Sequence, residues 1–188
     1  MSVDLVTKPP TEVSPRLKAR IAGVFYLLTF LTGVLALVSV RARFAADLIA
    51  TVSYVGVTLL FYDLFRPVNR LLSLLAAFVG LVGCAVGALR TLDLAFLSIN
   101  SLVFFGFYCL LIGYLIIRSA FLPRILGVLM AIGGLGWLTF ASPALVKILS
   151  PYNMAPGILG EGLLTLWLLI FGLNEQRWRE QAGEGTRP

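Results

Sequence analysis

Six stretches of this chain are each apolar for nearly long enough, or more than long enough, to cross a lipid bilayer. They are residues 21–40, 44–65, 71–89, 94–117, 122–141 and 158–173. A helix needs about 20 apolar residues to pass the hydrocarbon core, so the last run is short unless it begins at Ala155. Within lipid, every backbone N–H and C=O must be satisfied inside the chain, which leaves helices or a closed barrel as spanning structures. Runs of this length without strict alternation are helices. The sequence therefore predicts an all-α, polytopic membrane protein, a compact bundle of six transmembrane helices. Composition agrees: 59% of residues are hydrophobic and 13% charged, against about one quarter charged in a soluble domain.

The rest of the chain organises around these runs. Residues 1–20 form a polar segment with Pro9, Pro10 and Pro15, residues 21–173 the membrane domain, and residues 174–188 a polar tail. The first run is too long for the core of a cleaved signal and lacks a small-x-small site after it, so it reads as a retained span. Links such as Arg41-Ala42-Arg43 and Arg66-Pro67-Val68-Asn69-Arg70 allow only tight turns, so consecutive helices are expected to be antiparallel neighbours. Between Ser142 and Ala155 the chain carries Pro143 and Pro151, and its apolar middle, residues 144–149, is expected to lie flat at the interface.

Lys and Arg set the orientation. Lys8, Arg16, Lys18, Arg20, Arg66, Arg70, Arg118, Arg124, Arg177, Arg179 and Arg187 fall on one side; Arg41, Arg43, Arg90 and Lys147 fall on the other. The richer side is expected to be cytoplasmic. The reading is a multi-pass protein of the cell inner (plasma) membrane with both termini inside. This orienting role also accounts for most of the net charge of +6. No basic cluster interleaved with aromatics points to nucleic acid.

Histidine is absent, which removes the commonest metal ligand and the usual neutral-pH proton shuttle. Cys84 and Cys109 lie deep in apolar runs and read as small core residues. No cofactor or metal motif is visible. The expected partners are the bilayer itself and, where flat faces allow, a second copy or a subunit of a membrane complex.

Two helix faces stand out. In the second run Asp47, Thr51, Tyr54, Thr58 and Tyr62 follow one another at steps of three or four, on one face. Lipid penalises such a face, so it should turn into the bundle, either as interhelical hydrogen bonding or as the lining of a polar cavity. In the third run Ser73, Ala76, Gly80, Gly83 and Gly87 form a small-residue face for close backbone packing. Gly127, Ala131 and Gly134 in the fifth run are its expected counterpart.

Glu161 is the most informative single residue. It is an acid inside an apolar run, on a face with Gly157 and Thr165. Asp47 and Asn100 are expected at a similar depth in the outer half. An uncompensated carboxylate there is expensive, so it must be paired, protonated or hydrated. Arg41, Arg43 and Arg90 are available as counter-ions on that side. The candidate ligand-binding residues are Glu161, Asp47, Asn100, Tyr54, Thr51, Thr58 and Thr165. No catalytic set is identified.

Several stretches carry a resemblance. They are ARIAGVFYLLTFLTG (19–33), RPVNRLLSLLAAF (66–78), LVGCAVGAL (81–89), FFGFYCLLIGYLIIRSAFLPRILGVLM (104–130) and PYNMAPGILGEGLLTLWLL (151–169). Together they resemble the bacterial membrane family known as domain of unknown function 4386, over most of the chain. The resemblance implies a compact six-helix bundle and a Glu161 position, and no activity. Many members have a longer first external loop, and many carry Arg and Glu where this chain has Gly80 and Gly83.

Three functions fit these features. The first is a binding or transport-type bundle for a small molecule, ion or lipid, with an outer-half polar pocket. The second is an accessory or scaffold subunit that docks through a small-residue face. The third is an intramembrane enzyme using Glu161 and Asp47. An exposed small face on the third helix favours a partner; a sealed one with a hydrated Glu161 pocket favours a ligand.

Overall fold

The computed structural model describes residues 13–94 and 100–183. Lys8 and Arg187 of the charge count, most of the polar N-terminal segment and part of the start of the fourth apolar run lie outside them. The described residues form eight α-helices and no strand: α1 (Pro15–Val38), α2 (Arg43–Phe65), α3 (Arg70–Thr91), α4 (Ser101–Arg118), α5 (Arg124–Leu138), α6 (Pro143–Leu149), α7 (Ala155–Ile170) and α8 (Glu175–Gln181). Six helical segments are long and apolar enough to cross a membrane: α1 to α4, α5 with its 3-10 extension, and α7 with the 3-10 turn before it.

Capping residues explain the boundaries. The side chains of Ser14, Asn69, Asn100, Ser142 and Asn174 accept from the backbone N–H groups of Leu17, Leu72, Leu102, Leu145 and Arg177. Each satisfies a donor that its helix leaves open at the N-terminus. Three boundaries differ from the apolar runs. α1 starts at Pro15 rather than residue 21, because Ser14 caps it and Pro15 suits the first turn. α4 starts at Ser101 rather than residue 94: Asp93 turns the chain with φ 56°, and Asn100 begins the helix. α7 starts at Ala155 and stops at Ile170, short of residue 173, because Gly172 adopts φ +68° and donates its N–H back to Leu168 and Trp167. A left-handed residue after the last turn ends the helix, and glycine takes that conformation without strain.

The spanning helices close a ring. α1 packs on α2, α2 on α3, α3 on α4, α4 on α5, α5 on α7, and α7 returns to α1. Tyr26, Phe61, Tyr108, Ile112, Met130, Leu164 and Leu168 fill its inside and are at most 1% exposed. Val34, Val52, Leu71, Phe78, Ile125 and Leu166 face outward. An apolar belt around a core that contains polar groups is the arrangement lipid demands and water does not.

Small residues set the closest approaches. A Cβ on Gly113 would lie 2.7 Å from the Gly127 carbonyl, and one on Gly127 would lie 2.5 Å from the Gly113 carbonyl. Two turns away, Gly106 and Gly134 stand in the same reciprocal relation, at 2.9 and 2.7 Å. This seam joins α4 to α5. The counterpart of Gly127 and Gly134 is therefore α4, not the α3 face expected from the sequence, since α3 and α5 are not neighbours in the ring. The small face of α3 has another use. Ser73 donates to the Tyr62 carbonyl at 2.9 Å, Gly80 makes room for Tyr108 and Thr58, and Gly83 for Phe105. Ser73, Ala76, Gly80 and Gly83 are buried, and Gly87 is half-buried beside Ser101.

The link after α5 holds α6, which has no buried residue. At the end of the bundle that carries the termini, α8 is pinned by Trp178, whose indole N–H donates to the Leu64 carbonyl at 2.8 Å. Asp63 there pairs with Lys18 and, at 3.2 Å, with Arg66.

Candidate functional site

Glu161 lies about 9 Å along α7 from its start at Ala155, since an α-helix rises about 1.5 Å per residue. It is only 6% exposed. Its carboxylate is met from three other spanning helices. Trp137 of α5 donates its Nε1–H to Oε1 at 2.6 Å, Tyr54 of α2 donates its hydroxyl to Oε2 at 3.5 Å, and Cys109 of α4 offers its thiol to Oε1 at 3.6 Å. The Trp137 bond is short; the other two are long contacts.

Helix faces produce this convergence. Gly157, Glu161 and Thr165 stand one above another on the buried face of α7. Gly157 is directly beside the Trp137 indole, so closely that any Cβ there would overlap the ring. The missing side chain at Gly157 lets the indole reach the acid one turn further on. Around the carboxylate, Tyr26 packs edge-on to Tyr54 with ring centroids 5.6 Å apart, and Tyr54 packs on Tyr108 at the same separation and on Phe105 at 4.5 Å.

Two hydroxyls in this cluster are unsatisfied. Tyr26 and Tyr108 are fully buried, and among the described residues neither hydroxyl oxygen has a hydrogen-bond partner. A buried hydroxyl without a partner costs about 1–3 kcal/mol, so two beside one carboxylate call for an explanation.

The residues picked from the sequence separate into two groups. Glu161 and Tyr54 meet. Thr58 and Thr165 are buried near them, but their hydroxyls donate to the carbonyls one turn back, of Tyr54 and Glu161, at 2.8 and 2.7 Å. Thr51 does the same to Asp47. Such back-bonding satisfies a threonine within its own helix. Asp47 points away from the cluster: its side chain is 37% exposed and it faces Arg43 at 3.8 Å. Asn100 does not lie within α4; its side chain caps the helix start. The three acids and amides expected at one depth are therefore not one pocket. Nor is Glu161 bonded to an arginine: Arg43 faces Asp47, Arg41 and Arg90 are exposed, and the acid's own partners are all neutral.

Trp137, Cys109, Tyr26 and Tyr108 were not picked out. Trp137 did carry a signal, because a tryptophan in mid-span must find an acceptor for its N–H. Tyr26 and Tyr108 also carried one, since tyrosine in a spanning helix ordinarily sits at an interface. Among the described residues no group of three His, Cys, Asp or Glu side chains could hold a metal ion.

Comparison with known proteins places the chain. A family model described as "Domain of unknown function (DUF4386)" matches residues 38–101 and 99–172. An uncharacterized protein of Archaeoglobus fulgidus is 33% identical over 127 residues, covering 63% of this chain and 76% of that protein. No solved structure matches.

Proposed function

This chain belongs to the DUF4386 family, a domain of unknown function, and we propose that it is a binding or transport-type membrane bundle whose ligand is a small positive charge taken up at Glu161. One observation carries this reading: the Glu161 carboxylate is enclosed by a ring of six helices and, among the described residues, is held only by neutral donors. Removing an ionised carboxylate from water costs several kcal/mol, and three neutral contacts, two of them long, repay only part of it. The compensating charge comes from outside the side chains, as a proton on the acid or a cation beside it. The unpartnered oxygens of Tyr26 and Tyr108 offer lone pairs to the same guest.

Two observations weigh against the competing readings. The face of α3 that would dock a partner is sealed by Tyr108, Phe105 and Thr58. An enzyme using two carboxylates lacks its second acid, since Asp47 faces Arg43 instead. We place the protein in the cell membrane with both termini on the cytoplasmic side, on the excess of Lys and Arg at that end.

The test is the unfolding midpoint of the detergent-solubilised protein across pH, with and without sodium or potassium, for wild type and Glu161→Gln. Anything that binds the folded state raises its stability with concentration. A cation guest makes the wild-type midpoint rise with one salt and not its isosmolar control; a proton guest makes it depend on pH regardless of the metal. Either dependence should vanish in Glu161→Gln. If wild type and variant respond alike to both, Glu161 binds nothing and the reading fails.

A further inference from the structure

We propose that a second, separate site at the end of the bundle carrying the termini holds the phosphate headgroup of an anionic membrane lipid. A cavity of about 570 Å³ opens there between α1, the α4–α5 link, the end of α7 and the start of α8. That volume falls in the range of small-ligand sites. Trp167 and Phe171, in its wall, stand about 9 and 15 Å along the helix from Glu161, so the two sites share no side chain.

The walls carry the chemistry. Arg16 and Arg177 line the cavity from α1 and α8, and Trp167 with Phe171, ring centroids 4.5 Å apart, form its apolar side. Arg16 makes no hydrogen bond or ion pair with any described residue. Its stem lies against Gly172, where a Cβ would come within 3.0 Å of Arg16 Cγ, so the side chain runs along the turn toward the cavity. Arg177 is only loosely engaged, reaching the Ala120 carbonyl at 3.4 Å. The acid in the wall, Glu175, accepts two N–H groups of Arg179 at 2.7 and 3.2 Å, which compensates its charge. The net field in the cavity is therefore positive.

The frame around it is fixed. The backbone N–H of Asn174 donates to the Phe121 carbonyl at 3.1 Å, the Gln181 side chain accepts from Ala120 at 3.0 Å, and buried Trp178 ties α8 to α2. The site stands at the ends of the spanning helices, where lipid headgroups would lie. Leu17, Leu166 and Ile170, 49–60% exposed, lie next to it along α1 and α7 and would run beside the acyl chains. Two guanidinium groups suit a phosphate because each can donate two parallel N–H bonds. An interfacial aromatic pair beside basic residues is the setting in which anionic headgroups bind between helices.

The test uses the whole chain in lipid particles of phosphatidylcholine and phosphatidylglycerol, released into native mass spectrometry. Wild type should keep one phosphatidylglycerol in preference to phosphatidylcholine. Arg16→Gln/Arg177→Gln should lower that retention by about tenfold or more. Arg90→Gln, at the opposite end, should leave it unchanged, which separates a built site from general positive charge. All three arginines are exposed, so folding is preserved. Equal retention of the two lipids, no loss in the double variant, or equal loss in Arg90→Gln overturns the proposal. Displacement of the lipid by excess soluble glycerol phosphate would make the ligand a free phosphate instead and overturn it too.

Discussion

Trp137 and Glu161, on the fifth and sixth spanning segments, are joined by a 2.6 Å hydrogen bond that exists because Gly157 between them has no side chain. The bond ties two ring neighbours together inside the bundle. It also fixes the orientation of the acid toward Tyr54 and Cys109. Every part of the proposed site depends on that geometry.

Removing the donor should therefore be costly. Trp137→Phe keeps a ring in place and deletes the N–H, leaving Oε1 with only the thiol of Cys109. A loss of about 2 kcal/mol in unfolding free energy is expected, in line with an unmade bond to a buried charged group. Glu161→Gln keeps an acceptor for the indole and removes the charge, so its stability should match or exceed wild type while ligand dependence is lost. Equilibrium unfolding in mixed detergent micelles reads both.

Two glycines of α7 should behave in opposite ways. Gly157→Ala drives a methyl group into the indole of Trp137 and should cost about 1–3 kcal/mol from overpacking, plus the bond to Glu161. Gly162→Ala meets nothing within 4 Å and should be neutral or stabilising by up to about 1 kcal/mol, as alanine favours helix over glycine. Comparable losses in the two variants would argue against the indole contact.

The α4–α5 seam makes a similar claim about backbone. In Gly127→Ala the new methyl faces the Gly113 carbonyl and the Ile117 N–H, which cannot rotate away. It should cost about 2 kcal/mol, whereas Gly33→Ala, with open space around it, should change little. Thermal unfolding of the purified variants distinguishes them.

Cysteine labelling reads the closure of the ring. Cys109 is fully buried beside Glu161, and Cys84 is 4% exposed. Neither should react with a membrane-impermeant maleimide in the folded protein, and both should react after denaturation. Fast labelling of Cys109 in the native state would mean that water reaches the acid freely, against an enclosed site.

The number of spans and the antiparallel order were legible from residues alone, because lipid leaves a long apolar segment no alternative to a helix. The polar stripe of α2 was legible in part. Its middle, Tyr54 and Thr58, is buried, but its outer end, Asp47, leaves the bundle, because helix faces drift and a surface arginine lies one turn away. Helix ends depart from the apolar runs where a cap or a left-handed glycine sets them instead, as Ser14 and Asn100 do at helix starts and Gly172 at a helix end.

The sequence by itself determined the solvent this chain is built for, the six helices, and the presence of one acid where an acid is expensive. Only the tertiary structure decided that acid's company. Trp137, Tyr54, Cys109, Tyr26 and Tyr108 come from four helices separated by up to 135 positions along the chain, counting from Tyr26 to Glu161. Hydropathy fixes how far each helix extends, but not how it turns about its axis or which helices stand side by side. Those follow from where glycines let backbones meet, as Gly113 meets Gly127 and Gly157 admits Trp137.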